Sequence, residues 1–89
     1  MNHYGALARK HWAKYRPSEY GSMSDPESFF TDLGEQMAEQ VLTLSRQLEG
    51  DDPAGETYLD KVGRLNMARL MAEEQVMRET LPVAEDDEQ

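Results

Sequence analysis

Two histidines and three pairs of adjacent acids are the side chains in this 89-residue chain best suited to bind a metal or move a proton. His3 and His11 stand eight residues apart, a spacing that points them in different directions on a helix. Neither an HExxH pattern nor a Cys/His spacing accompanies them. The acid pairs are Asp51-Asp52, Glu73-Glu74 and Asp86-Asp87. Adjacent carboxylates on loops and helix surfaces are ordinarily solvated, and acid–base work needs burial to move a pKa. Only Glu73 falls on an otherwise apolar face, and Arg69, one turn before it, would keep it ionised. There is no glycine-rich turn after a strand to cradle phosphate, and with no cysteine the chain can form neither disulfides nor thiolate metal sites. The residues therefore imply no catalytic group, no metal and no cofactor, and the chain is expected not to be an enzyme.

The more informative side chains are polar ones in an apolar setting. Toward the C-terminus, Tyr58, Leu59, Val62, Leu65, Ala72, Val76 and Met77 share one broad helix face at about 100° per residue. Asn66, Arg69 and Glu73 project from the middle of that face at spacings of three and four. A helix buried there must supply partners for an amide, a guanidinium and a carboxylate, because burying such groups unpaired costs several kcal/mol. Tyr4, His11, Trp12, Tyr15 and Tyr20 offer hydroxyl, imidazole and indole groups for the purpose. The expectation is an internal polar network that docks the N-terminal segment on the C-terminal helix; the alternative is a partner pocket in which His11 and Trp12 join Asn66, Arg69 and Glu73. Met67, Leu70 and Met71 lie outside this arc. They are either scattered surface residues or a sticky strip suited to an adaptable interface.

Three helical segments must position these groups, and the periodicity predicts a small all-α domain. Tyr4, Leu7, Ala8, His11, Trp12 and Tyr15 recur on one face of a helix over about 3–15. Pro17 and the Ser-Glu-Tyr-Gly-Ser stretch that follows predict a break. The second helix, about 24–49, opens either on a Ser24–Glu27 capping box or on Asp25 as cap with Pro26 in the first turn. Its stripe is Phe30, Leu33, Met37, Val41, Leu44 and Leu48, and Gly50 is a natural terminator. Gly34 interrupts this helix at a cost of about 1 kcal/mol against alanine, which suggests close approach by a neighbour. A third helix over about 56–81 follows the Asp51-Asp52-Pro53-Ala54-Gly55 loop and stops before Pro82. The two long helices match as an antiparallel hairpin, with the shorter one packed across it. Residues 1–82 form the expected domain, and 83–89, with Glu85-Asp86-Asp87-Glu88, an expected disordered tail.

Charge narrows the function. The net −9 is split between residues 1–16, where Arg9, Lys10, Lys14 and Arg16 face no acid, and residues 17–89, where 18 acids face five bases. Most of the surface therefore repels nucleic acid, whose affinity rests on phosphate neutralisation, and direct DNA binding is expected only if the basic first helix provides it. That helix is expected instead to dock on the acidic remainder. No apolar run approaches the 18–20 or so residues that span a bilayer. The first residues interleave bases with aromatics rather than forming a signal peptide. A cytoplasmic protein is the expectation.

One segment is also familiar. Tyr58-Leu59-Asp60-Lys61-Val62-Gly63-Arg64-Leu65-Asn66-Met67-Ala68-Arg69, followed by Ala72-Glu73-Glu74, resembles the C-terminal segment of the TnpV family of transposon-encoded proteins. Tyr4-Gly5-x-Leu7 and Leu33-Gly34-Glu35-Gln36-Met37 fit the same family in the same order, so the resemblance covers most of residues 4–79 in a short, actinobacterial-type form. It implies a helical fold and a bacterial mobile element. No acidic triad of a transposase is present, and the resemblance carries no functional residues. Residues and resemblance together suggest an accessory protein that binds a protein partner or a second copy of itself. The alternative is an acidic inhibitor that mimics DNA against a restriction or CRISPR-type nuclease.

Overall fold

The computed structural model describes residues 1–84, and no strand occurs among them. Four helices follow one another: α1 (His3–Tyr15), α2 (Pro17–Gly21), α3 (Pro26–Glu49) and α4 (Tyr58–Thr80). The two long helices, α3 and α4, pack as a hairpin, and α1 packs chiefly on α3. The fold is all-α as the periodicity predicts, with α1 close to the predicted bounds. The expected acidic run from Glu85 onward lies outside the described residues.

Local chemistry sets each boundary. The Asn2 side chain caps α1 by accepting from the Gly5 amide, while its own Nδ2 donates to the Gly34 carbonyl at 2.9 Å. Pro17 ends α1 but does not leave a loop: it takes the first position of the one-turn helix α2, where its missing amide proton is no loss. The predicted break is therefore a kink between two helices. At α3 the Asp25 alternative holds, since its carboxylate accepts from the Ser28 amide at 3.1 Å with Pro26 in the first turn. Gly50 closes α3 at a positive φ of 62°. Thr57 and Asp60 form a reciprocal capping box on α4, a start the periodicity placed one or two residues early.

The core gathers Tyr4, Ala8 and Trp12 of α1, Phe30, Met37 and Val41 of α3, and Ala72 and Val76 of α4. Phe30 lies at its centre, with ring centroids 5.4 Å from Trp12, 4.9 Å from Phe29 and 6.1 Å from Tyr20. The crossing of α1 over α3 depends on two glycines. A Cβ on Gly34 would fall 2.7 Å from the Gly5 amide nitrogen, and one on Gly5 would collide with the Phe30 carbonyl.

On α4 the buried face differs from the predicted one. Ala68, Ala72 and Val76 are buried, while Tyr58 and Leu59 stand almost wholly in solvent and Val62 is at the margin. The helix turns its two alanines toward α3, which lets the backbones approach, and thereby keeps the Arg69 guanidinium in water. Burying that guanidinium would have required complete pairing inside an apolar core.

Candidate interaction surface

The polar residues read as one cluster separate in the structure. Glu73 is the centre of a short chain: the Tyr4 hydroxyl donates to its Oε2 at 2.6 Å, and Arg69 Nε lies 3.6 Å from the same oxygen. Burial, followed by the bond to Glu73, holds the Tyr4 phenol above its ordinary pKa. Asn66 is exposed and outside this chain. His11 is also elsewhere, its Nε2–H donating to the Pro82 carbonyl at 2.7 Å and tying the end of α4 to α1. Trp12 is a core residue against Phe29 and Phe30, and its Nε1 is buried without a hydrogen-bond partner among the described residues. So of the five predicted network residues only Arg69 and Glu73 meet, and the side chain from α1 that joins them is Tyr4.

The energetics follow from exposure. The Arg69 side chain is 64% exposed and that of Glu73 is 23%, so removing Arg69 leaves a partly buried carboxylate that keeps the Tyr4 hydroxyl and some contact with water. Arg69→Ala should lower stability by less than about 1 kcal/mol, in the range of exposed ion pairs. Tyr4→Phe, which removes the donor from the less exposed partner, should cost about 0.5–1.5 kcal/mol. Urea denaturation of both variants gives the order directly.

The basic residues of α1 divide as well. Arg9 donates from Nε to the Tyr20 hydroxyl at 2.9 Å and lies over that ring. Arg16 pairs with Glu19 at 3.2 Å and donates to the Val83 carbonyl. Lys14 lies over the Tyr15 ring, and Lys10 is exposed. No ion pair links these four to α3 or α4 among the described residues. The expected docking of α1 on the acidic remainder is thus a packing contact made by Tyr4, Ala8 and Trp12, rather than an electrostatic one.

A second polar cluster escaped the sequence reading. Arg64 donates to Glu56 and to Asp52 at 2.7 Å each and also reaches the Glu49 carbonyl, while Lys61 joins Asp52 at 2.8 Å. These bonds fasten the loop between α3 and α4. Hydrogen bonding dominates in each case: Lys61 holds the Asp52 carboxyl below its usual range, and Glu56 raises the Arg64 guanidinium. Lys61 and Arg64 were the available signal. Cations in the first two turns of a helix oppose its dipole, so they need acids close by.

The surface that remains is apolar. Met67, Leu70 and Met71 are each more than half exposed, an exposure that both readings of them share, and Leu59 and the partly exposed Val62 lie on the same side. By helical geometry Leu59, Val62, Asn66 and Leu70 form one stripe, with Met67 and Met71 on its flank. The stripe lies on the side of α4 that carries Glu73, where α1 begins. From Tyr4 onward α1 runs toward the far end of the hairpin, as the His11–Pro82 and Arg16–Val83 bonds show. The loop-side half of the hairpin is left as two helices with one flank uncovered. The opposite flank holds a shallow cavity of about 390 Å³, lined by Gln36, Gln40, Gln47 and Gln75 over Leu44 and Val76.

No group of acids and histidines that could hold a metal occurs among the described residues. No described helix is long and apolar enough to cross a membrane. No family model matches the chain, and no curated protein or solved structure is similar enough to it to show a shared family.

Proposed function

We propose that this chain is a non-catalytic accessory protein of a bacterial mobile genetic element, acting in the cytoplasm by docking a protein partner on the exposed stripe of α4. The observation that carries the reading is the exposure of Leu59, Val62 and Leu70 on one helix face beside Met67 and Met71. Contiguous apolar surface on a small acidic chain marks a contact site, and methionines adapt to a partner's shape. The segmental resemblance to TnpV supplies the mobile-element setting. The acidic-inhibitor reading rests on a different feature: Asp32, Glu35 and Glu39 are exposed on α3 and carry no ion pair among the described residues. That ridge is short, and Asp52, Glu56, Glu73 and Glu74 are already paired with the chain's own cations.

Affinity capture from nuclease-treated host lysate separates the two. A partner held by the stripe should survive high salt and the double variant Glu35→Gln, Glu39→Gln, and should be lost with Leu70→Glu. Capture that ignores Leu70→Glu but disappears with salt or with the two glutamines would reject the stripe in favour of the acidic ridge.

A further inference from the structure

We propose that the occupant of the α4 stripe is a second copy of this chain, joined by an antiparallel α4–α4 contact whose two-fold axis passes beside Asn66. The inference rests on the reading of that stripe as a docking surface and names its partner.

A two-fold contact requires self-complementarity, since residue i must suit residue j and the reverse. An antiparallel pairing centred on Asn66 sets Val62 against Leu70 of the second copy, Leu59 beside Glu73, and Asn66 against itself. The apolar side chains thus face apolar ones at Val62 and Leu70, both exposed in the protomer. Two asparagine amides can donate and accept across the axis, and a lone asparagine in an apolar helix stripe is a known register-setting device.

Gly63 is otherwise without a purpose. It sits mid-helix, where glycine costs about 1 kcal/mol against alanine, and a Cβ built there meets nothing within 4 Å. Gly34, by contrast, has α1 against it. In the proposed pairing Gly63 flanks the contact, where the absence of a side chain lets the two helices approach closely.

Charge points to the same region. Residues 42–70 hold five acids (Glu49, Asp51, Asp52, Glu56, Asp60) and four bases (Arg46, Lys61, Arg64, Arg69), nearly balanced in a chain of net −9. Two copies can approach there with little repulsion, whereas the acidic N-terminal half of α3 would resist. Geometry permits the approach, because α1 begins at the level of Glu73 and leaves the stripe from Leu59 to Leu70 uncovered.

Sedimentation from about 1 μM to 1 mM should show a concentration-dependent dimer. Leu70→Glu and Val62→Glu should stay monomeric with unchanged far-ultraviolet dichroism, since both positions are solvent-facing in the protomer. The chain has no cysteine, so Asn66→Cys places a single thiol beside the axis, and a disulfide forms only where Cα atoms come within about 7 Å. Mild oxidation should link most Asn66→Cys into dimers and leave Met71→Cys, on the flank, largely unlinked. A monomer throughout the concentration range overturns the proposal. So does a dimer whose mass Leu70→Glu leaves unchanged, or an Asn66→Cys that links no faster than Met71→Cys. If the chain is monomeric yet Leu70→Glu still loses a captured protein, the self-pairing falls and the docking stripe stands.

Discussion

Gly34→Ala should destabilise the domain by about 2 kcal/mol, even though alanine is the better helix former by about 1 kcal/mol. The sign is decided by what the new methyl group meets. Its Cβ would lie 2.7 Å from the Gly5 nitrogen and 2.8 Å from the Gly5 Cα, and it would press on the Asn2 carboxamide oxygen. The first two atoms are backbone, so α1 must move as a unit, and overpacking of this kind costs about 1–3 kcal/mol. Displacing Asn2 also threatens the cap of α1, which contributes about 1 kcal/mol more. Gly63→Ala is the matched control. Nothing lies within 4 Å of its Cβ, so at dilution it should stabilise the chain by about 0.5–1 kcal/mol. Urea midpoints followed by the fluorescence of the single tryptophan, Trp12, measure both. A stabilised Gly34→Ala would mean that α1 does not close on α3 at this crossing.

The second large effect is expected at Phe30. Its side chain is fully buried and is touched by rings from three directions, Trp12, Phe29 and Tyr20. Phe30→Ala should cost about 3–5 kcal/mol, the sum of lost transfer energy and the cavity left behind. A domain of this size has about 4–13 kcal/mol in total, so the variant should be partly unfolded at room temperature or melt far below the parent. Phe29→Ala, one residue away but 41% exposed, should lose well under half as much. Equal losses at the two positions would show that the aromatic cluster does not centre on Phe30.

Why these positions matter was only partly legible in the sequence. The α3 stripe of Phe30, Met37 and Val41 was plain, because a regular three-four spacing on a long helix admits one buried face. Gly34 was recognisable as a site of close approach, since a glycine inside a helix needs a reason, but not that Gly5 and Asn2 would be the groups against it. On α4 the periodicity misled. Ala72 and Val76 of the predicted arc are buried, but Ala68 joins them while Tyr58, Leu59 and Val62 turn to solvent. Alanine adds little hydrophobicity to a pattern but permits the closest backbone contact, and side-chain periodicity does not weigh that advantage. The same rotation moved Arg69 toward solvent and left Asn66, His11 and Trp12 out of the expected network, of which the Tyr4–Glu73–Arg69 link remains.

Thus the sequence by itself determined the helical class, the hairpin of two long helices, the N-terminal helix, the Asp25 and Gly50 boundaries as options, and the lack of catalytic spacing. Those are local properties, set by propensity, capping and period within one segment at a time. Only the tertiary structure decided which face of α4 is buried, that Tyr4 rather than His11 reaches Glu73, that Arg64 binds the loop acids, and that α1 begins partway along the hairpin. Each of these depends on where residues from separate segments meet. The uncovered stripe of Leu59, Val62, Asn66 and Leu70 belongs to the same group: it exists because the 13-residue α1 is too short to run along the whole 23-residue α4.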